Sequence, residues 1–266
     1  MNLKELESRS IHIIREAKSE FKNLAVLWST GKDSTACLWL CKKAFFGKIP
    51  FPVIHLDTGQ KLPEIYKFRD KIAKEWNLDL IIAKNEEAIK KYISPAATSR
   101  FECCTALKTE TLKQTIEKNN FNAIILAIRR DEHGIRAKER YISPRDRDFQ
   151  WKYKDQPPEL WDLFKGVFED GIHFRVHPML HWTELEVWEY VKQENTPVNP
   201  LYFSNNGKRY RSLGCEPCTE PIESSAKTID EIVEELRTTK IAERSGRSQD
   251  KEQMYMMQKL RSLGYM

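Results

Sequence analysis

Short apolar runs alternate along the chain with longer segments in which apolar residues recur at helical spacing. The apolar runs predict β-strands at positions 23–29, 51–56, 78–83, 123–128 and 174–176. The amphipathic segments predict helices at 3–21, 62–76, 109–119, 183–193, 228–238 and 251–263, with another beginning near residue 34. Because strands that alternate with helices form βαβ units, the predicted class is α/β, with a five-stranded parallel sheet and helices on both faces.

Two stretches lack this periodicity. Residues 129–170 are dense in Arg, Lys, Asp and Pro and predict a loop, and a loop of that length in a compact domain is usually functional. Residues 197–221 are also irregular. The pattern therefore predicts an α/β domain at 1–196 and a C-terminal segment at 197–266, partly irregular and partly helical, which wraps the active-site edge.

Composition narrows the class of protein. The 266 residues are 40% hydrophobic, which is enough to bury a core and excludes a wholly disordered chain. The formal net charge of +5 is too small to indicate nucleic-acid binding by itself. No apolar run reaches the roughly 20 residues of a membrane span, and the first residues lack the apolar centre of a signal peptide. We therefore expect a cytoplasmic protein without a membrane partner.

The hexapeptide STGKDS separates the first predicted strand from the helix that follows it. Backbone N–H groups at a helix N-terminus bind phosphate, and a glycine lets the ligand approach the chain closely. The hydroxyls add hydrogen-bonding groups, the lysine adds a positive charge, and the aspartate could hold Mg²⁺ or orient the loop. The sequence therefore predicts a phosphate-binding loop of six residues: Ser29, Thr30, Gly31, Lys32, Asp33 and Ser34.

Three charged residues follow predicted strands directly. Asp57 follows the second strand, and Arg129 and Arg130 follow the fourth. Parallel α/β sheets bind their ligands at the carboxyl ends of the strands, and arginine binds oxyanions in a bidentate manner. These three residues are therefore candidates for ligand binding at the same edge.

The six cysteines are not expected to form disulfides, since the cytoplasm keeps thiols reduced. Cys103 and Cys104 are adjacent, and Cys215 and Cys218 form a C-x-x-C motif. Four thiolates can bind either a tetrahedral zinc ion or a [4Fe–4S] cluster, and their spacing alone does not distinguish the two. Cys37 and Cys41, one helical turn apart among apolar neighbours, are expected in the core.

The STGKDS loop resembles the pyrophosphate loop of the PP-loop ATP pyrophosphatases. Further motifs along nearly the whole chain are similar to the small, catalytic subunit of bacterial sulfate adenylyltransferase, in the phosphoadenylylsulfate reductase family. These motifs are HLDTG at 55–59, RRDE at 129–132, RAKER at 136–140, SPRD at 143–146, WTEL at 182–185, PLYF at 200–203, RSLGC at 211–215 and ERSGR at 243–247.

This resemblance implies an adenine nucleotide alpha-hydrolase-like fold and an enzyme, an adenylyltransferase that releases pyrophosphate. The acceptor attacks the α-phosphorus of ATP while the loop holds the β- and γ-phosphates with Mg²⁺. Lys32 and Asp33 would act in the loop, Asp57 would assist the metal or the ribose, and Arg129 and Arg130 would bind the acceptor oxyanion. If the acceptor is sulfate, the partner is a GTPase large subunit.

The spacing of the four cysteines resembles a motif from a different group of enzymes. A CC pair with a distant C-x-x-C is similar to the iron–sulfur motif of adenylylsulfate reductases, which favours [4Fe–4S] over zinc. Those reductases have a degenerate loop and a catalytic cysteine near the C-terminus, whereas this chain has an intact loop and no cysteine after Cys218. Reduction of a sulfonucleotide is therefore disfavoured.

The usual sulfate-activating subunit lacks these cysteines, so two further alternatives stay open. An intact loop with a cluster resembles ATP-dependent sulfur-inserting enzymes, namely tRNA thiolases and the ATP pyrophosphatase of DNA phosphorothioation. The acceptor would then be a nucleic-acid oxygen and the partner a cysteine desulfurase. The third alternative is a nucleotide-binding regulatory subunit without turnover. The sequence does not determine the oligomeric state.

Overall fold

The computed structural model describes residues 2–91, 99–154, 156, 158–159, 164, 172–246 and 256–264. Its central strands are β1 (Leu24–Leu27), β2 (Val53–Leu56), β3 (Leu80–Ala83), β4 (Ala123–Ile125), β5 (Ile142–Arg145) and β6 (His173–Val176). They form one sheet in the order β3-β2-β1-β4-β6-β5. The first five strands in that order are parallel, as predicted, and β5 pairs with β6 in the antiparallel direction.

Strand β5 corrects the prediction that residues 129–170 form only a loop. It places Ile142 opposite Val176 and Arg145 opposite His173. Its sequence, ISPR, has no apolar alternation, and Pro144 argues against a central strand. Proline is tolerated on an edge strand, and pairing with β6 supplies the stability that local propensity does not.

The helices of the described part are α1 (Leu3–Glu20), α2 (Lys32–Ala44), α3 (Pro63–Glu75), α4 (Glu86–Lys91), α5 (Arg100–Cys104), α6 (Thr111–Asn119), α7 (Glu184–Glu194), α8 (Ile229–Thr238) and α9 (Met256–Ser262). Most of them lie in predicted segments, whereas the short helices α4 and α5 were not predicted. Capping boxes begin α7 at Thr183 and α8 at Thr228. Of the helix predicted at 251–263, residues 251–255 lie outside the described part.

One helical segment is longer than predicted. A π-helical stretch, Thr105–Glu110, joins α5 to α6, so that helical structure runs from Arg100 to Asn119. Cys103 and Cys104 therefore lie within the helical segment, although the sequence places them just before a helix. Single π-turns of this kind are frequent at functional sites.

Helix α2 follows the STGKDS loop and lies at the centre of the helical layer. It packs against α1 and α7, and α7 in turn packs against α8. Because it is covered on several sides, most of its residues are buried, including the thiols of Cys37 and Cys41. This packing fixes the N-terminus of α2 at the carboxyl ends of β1 and β2. In the part of the chain that the structure describes, no helix has the length and apolar character that crossing a membrane requires.

Three histidines are buried in the folded chain: His55, His173 and His177. Burial lowers the pKa of His177 to about 3, and burial with the charges of Arg175 and Arg145 holds the pKa of His173 well below its usual range. Neither ring nitrogen of His173 has a hydrogen-bond partner among the described residues. These imidazoles are therefore neutral in the folded state and protonate only on unfolding.

We predict that acid destabilises the fold through these histidines. Below the unfolded-state pKa of about 6.5, the unfolded chain binds protons that the folded chain excludes, so the free energy of unfolding falls with pH. Each buried histidine contributes a slope of about 1.4 kcal/mol per pH unit. His173→Leu should reduce the slope by up to that amount, measured by urea unfolding between pH 6 and pH 4.5. The exposed His12 supplies the control, and an equal change in His12→Leu would contradict the prediction.

Candidate active site

A cavity of about 160 Å³ lies at the carboxyl ends of the parallel strands. Its floor consists of residues that end or follow β1, β2 and β4, including Trp28, Leu56 and Ile128. The STGKDS loop forms one wall, and residues 212–215 of the C-terminal segment form another. The cavity is at the edge where the sequence predicts ligand binding, because parallel strands bring their carboxyl ends together.

The loop at 29–34 has the features of a phosphate cradle. Gly31 is the N-cap of α2 and provides no side-chain cap, so the first helical N–H, that of Lys32, donates to the Tyr202 hydroxyl instead (2.8 Å). The hydroxyls of Ser29 and Ser34 lie 3.1 Å apart at the same helix end. A Cβ on Gly31 would lie 3.4 Å from both the Ser29 and Tyr202 hydroxyl oxygens. Glycine therefore keeps this helix N-terminus accessible to an anion.

Backbone strain occurs beside the cradle. Thr30 is buried and has a φ of 65°, in the left-handed region that β-branched residues rarely adopt. Its hydroxyl has no hydrogen-bond partner among the described residues. Such conformations cost on the order of 1–3 kcal/mol and concentrate at ligand-binding loops.

The Lys32 ammonium is buried among carboxylates. Its Nζ contacts Asp33 Oδ2 at 3.0 Å and also a carboxylate oxygen of Glu243, while Glu184 lies 3.9 Å away. Burial opposes the charge of Lys32, but these carboxylates outweigh that effect and raise its pKa. Lys32 is therefore a permanent cation at the helix N-terminus.

The two predicted arginines occupy different environments. Arg129 is fully buried and binds Asp33 (2.7 Å), Asp131 (2.5 Å) and Glu243. Arg130 points elsewhere, with one guanidinium nitrogen 2.6 Å from His181 and another donating to the Glu139 carbonyl. Neither guanidinium lines the cavity, and Arg129 instead holds the carboxylates that hold Lys32.

Asp57 is also set back from the cavity. One carboxylate oxygen accepts from the Gly59 N–H and the Tyr66 hydroxyl, both at 2.9 Å. The other oxygen lies 3.1 Å from Lys84 and 3.8 Å from Arg69. These donors lower its pKa despite its burial, so Asp57 is an anionic anchor for the loop after β2. Its predicted role toward metal or ribose stays a prediction.

Several cavity residues were not predicted as site residues. They come from the loop after β2, from the π-helical stretch and from the C-terminal segment: Thr58, Lys61, Lys108, Tyr202, Glu243 and Arg244. A weak signal exists for four of them, since Thr58, Tyr202, Glu243 and Arg244 belong to the HLDTG, PLYF and ERSGR motifs, whereas Lys61 and Lys108 carry no local signature. Their positions in the cavity depend on which distant segments of the chain pack together, and spacing along the sequence does not predict this packing.

The four predicted metal ligands come together. Cys103, Cys104, Cys215 and Cys218 line one small pocket of about 10 Å³, although about a hundred residues of sequence separate the two pairs. All four are free thiols. Burial, reinforced by the neighbouring cysteines, raises the pKa of Cys103 to about 11. Among the described residues, no three Cys, His, Asp or Glu side chains are arranged to hold a single metal ion.

The cysteine pocket and the main cavity share a wall. Thr58, Lys108 and Cys215 line both spaces. The Thr58 hydroxyl and the Cys215 sulfur lie 3.3 Å apart, and the N–H of Glu216 donates to the Gln60 carbonyl (2.8 Å). These contacts join the C-x-x-C motif to the loop after β2, so a change at the thiols reaches the cavity through one layer of side chains.

Comparison with known proteins places the chain in a family. Residues 23–221 match the model of the phosphoadenosine phosphosulfate reductase domain. The chain is 41% identical to sulfate adenylyltransferase subunit 2 of Pseudomonas paraeruginosa, covering 99% of this chain and 98% of the relative. It is 42% identical to the subunit of the same name from Methylococcus capsulatus, covering 99% of this chain and 97% of that protein.

Solved structures agree on the fold. The phosphoadenylyl-sulfate reductase of Candida auris, in a phosphate complex, superposes with a TM-score of 0.58 at 19% identity, covering 83% of this chain and 96% of that one. The FMN adenylyltransferase of Candida glabrata with ATP gives 0.57 at 16% identity, covering 82% and 63%. The predicted fold class is thereby confirmed. The chain belongs to the phosphoadenosine phosphosulfate reductase domain family, within which it groups with subunit 2 of sulfate adenylyltransferase as an adenylyltransferase of sulfur metabolism.

Proposed function

We propose that the chain transfers the adenylyl group of ATP to sulfate and releases pyrophosphate. The observation that carries this proposal is the open N-terminus of α2 at the cavity, with Gly31 and the Lys32 ammonium beside it. The full-length similarity to sulfate adenylyltransferase subunit 2 supports sulfate as the acceptor and a larger subunit, a GTPase, as the partner.

The reaction needs no covalent intermediate on the protein. A sulfate oxygen forms a bond to the α-phosphorus, the bond from that phosphorus to the bridging oxygen breaks, and pyrophosphate leaves with the electron pair. No proton has to be transferred. The protein therefore acts by positioning and by stabilising negative charge, which is how phosphoryl-transfer enzymes in general lower their barriers.

The residues of the cradle fit the two phosphates that leave. Backbone N–H groups at the start of α2 and the Ser29 and Ser34 hydroxyls would bind the β- and γ-phosphate oxygens. The Tyr202 hydroxyl accepts from the Lys32 N–H, so this helix end binds an oxygen atom in the direction from which a phosphate oxygen would approach. The Asp33 carboxylate would hold Mg²⁺, which binds through carboxylate and phosphate oxygens.

The cysteine pocket brings together four thiols that could bind a metal group. Four thiols from two distant segments converge, and Lys108 lies close enough to lower the pKa of both Cys103 and Cys218 against their burial. Four thiolates can bind either a tetrahedral zinc ion or a [4Fe–4S] cluster, and the resemblance of the cysteine spacing to the iron–sulfur motif of adenylylsulfate reductases favours the cluster. We propose that they bind a [4Fe–4S] cluster, which would supply a redox-sensitive charge beside the cavity.

The same four cysteines favour a second candidate function. An intact ATP-binding loop next to an iron–sulfur site is the combination expected of an enzyme that activates a nucleic-acid oxygen for replacement by sulfur. The partner would then be a cysteine desulfurase in place of a GTPase. Pyrophosphate release that depends on sulfate favours the first candidate, and release that depends on tRNA or DNA but not on sulfate favours the second.

We predict that Gly31→Ala lowers sulfate-dependent pyrophosphate release at least tenfold. The new methyl group would lie 3.4 Å from the Ser29 and Tyr202 hydroxyl oxygens and would occupy space that a phosphate needs. Gly134→Ala is the matched control, because a Cβ there meets nothing within 4 Å. Equal activity of Gly31→Ala and wild type, with both correctly folded by circular dichroism, would exclude the loop as the phosphate site.

Removing the charged residues of the loop should reduce pyrophosphate release more than Gly31→Ala does. Lys32→Ala or Asp33→Ala should abolish pyrophosphate release, since Lys32 is the cation at the helix N-terminus and Asp33 is the carboxylate beside it. Near-normal turnover in a Lys32→Ala/Asp33→Ala double variant would overturn the assignment. Thermal unfolding of each variant separates loss of function from loss of the fold.

The proposed [4Fe–4S] cluster predicts the iron and sulfide content of the purified protein. Protein purified anaerobically should contain about four irons and four acid-labile sulfides per chain with a broad visible absorption band. Cys103→Ser/Cys218→Ser should lose the iron and the band, whereas Cys37→Ala should keep them because Cys37 lies in the core of α2. If the purified protein contains zinc but no iron, the four cysteines form a zinc site and the cluster proposal is wrong. Absence of both metals would leave four ordinary thiols and remove the support for sulfur insertion.

A further inference from the structure

Lys61 stands apart from the other cations of the cavity wall. It lies on the loop between β2 and α3, at the side of the cavity that adjoins the cysteine pocket. Lys32 is held by three carboxylates, and Arg136 and Arg244 both bind Glu132. In the described part of the chain, no carboxylate lies within ion-pair distance of Lys61, whose one side-chain hydrogen-bond partner is His55.

The His55 contact orients Lys61 without neutralising it. His55 Nδ1 lies 2.9 Å from the Trp28 carbonyl oxygen, which only accepts, so Nδ1 carries the proton. Nε2 therefore has a free lone pair and accepts from the Lys61 ammonium at 3.2 Å. Burial, together with the charge of Lys61, lowers the pKa of His55 to about 2, so the imidazole stays neutral.

The nearby charges do not satisfy the ammonium either. Asp57 gives its oxygens to Gly59, Tyr66 and Lys84, as described above. Lys108 is a second cation on the same wall. Burial, with the charges of Lys108 and Arg69, lowers the pKa of Lys61 to about 8 against the opposing effects of Cys215 and Asp57. An ammonium has three N–H donors, of which His55 accepts one. The remaining donors belong to a side chain that lines the cavity together with Lys108.

We propose that Lys61 binds the acceptor oxyanion, a sulfate dianion, and that His55 is the residue that positions it. This inference rests on the proposed function and names the part of the cavity that receives sulfate. It also replaces the expectation that Arg129 and Arg130 bind the acceptor, since those guanidiniums are engaged outside the cavity wall. A tetrahedral dianion at Lys61 would share the cavity with ATP held at the loop.

The test measures sulfate and nucleotide binding separately. The chain is purified with its larger partner subunit, and binding of radiolabelled sulfate is measured by equilibrium dialysis in the presence of α,β-methylene ATP. Lys61→Met should raise the Kd of sulfate at least tenfold and change the Kd of the ATP analogue less than threefold. Lys61→Arg should recover most of the affinity, because it restores the charge. Lys67→Met, an exposed lysine on α3, is the matched control and should bind both ligands as wild type does.

Variants of His55 test positioning. His55→Leu removes the acceptor for the ammonium and should raise the KM for sulfate, with a smaller effect on the KM for ATP. His55→Gln retains an acceptor oxygen and should lie closer to wild type. If His55→Leu does not fold, the three lysine variants still decide the proposal.

The outcomes separate this inference from the function on which it rests. If the wild-type complex releases pyrophosphate with sulfate but Lys61→Met binds sulfate normally, the Lys61 inference is wrong and the proposed function stands. An equal loss of sulfate and nucleotide affinity would assign Lys61 to the nucleotide and also overturn the inference. If the wild-type complex neither binds sulfate nor responds to it, both fail.

Discussion

The site depends on one buried carboxylate, that of Glu243, which lies between the Lys32 ammonium and the Arg129 guanidinium. Removing such charges from water costs several kcal/mol per ion, and only close pairing offsets this cost. Burial raises the pKa of Glu243, but Arg129 and Lys32 outweigh that effect and keep it well below its usual range, so the carboxylate is charged at neutral pH. The three residues come from the C-terminal segment, the first turn of α2 and the stretch after β4. Their pairing therefore holds three distant parts of the chain around one cavity.

This arrangement explains why the charge-dense stretch after β4 is not a solvated loop. Arg129, Arg136, Glu139 and Arg145 are all buried or nearly so. Glu139 binds Arg145 at 2.8 Å and also contacts Arg261 of α9, so a second ionic cluster fixes the edge strand to the end of the chain. Buried ion pairs contribute little net stability but penalise every arrangement that separates them. The stretch thus supplies two cavity-lining residues, Glu132 and Arg136, and the ion pairs behind them.

The shared wall between the cavity and the cysteine pocket has a consequence for chemistry. Thr58 contacts Cys215 on one side and lines the cavity on the other. In a poorly hydrated region, a change of charge at the thiols acts over short distances with little screening. A change of charge at Cys215 would therefore act directly on the cavity, which this residue also lines.

The sequence by itself determined the elements that local physics controls. Apolar runs and helical periodicity predicted the five parallel strands and the main helices, because these signals reside in neighbouring residues. The same local signals predicted the tight turn between β1 and α2 at STGKDS, whose binding of phosphate stays a prediction. From the motif spacing, the proximity of Cys103 and Cys218 could be predicted only as a hypothesis. Tertiary structure decided the rest: the edge strand with Pro144, the ion pairs that bury Arg129, and the placement of Glu243 in the cavity. Those outcomes depend on which distant segments pack together, and the cost of leaving a buried charge unpaired, not any local pattern, selects that packing.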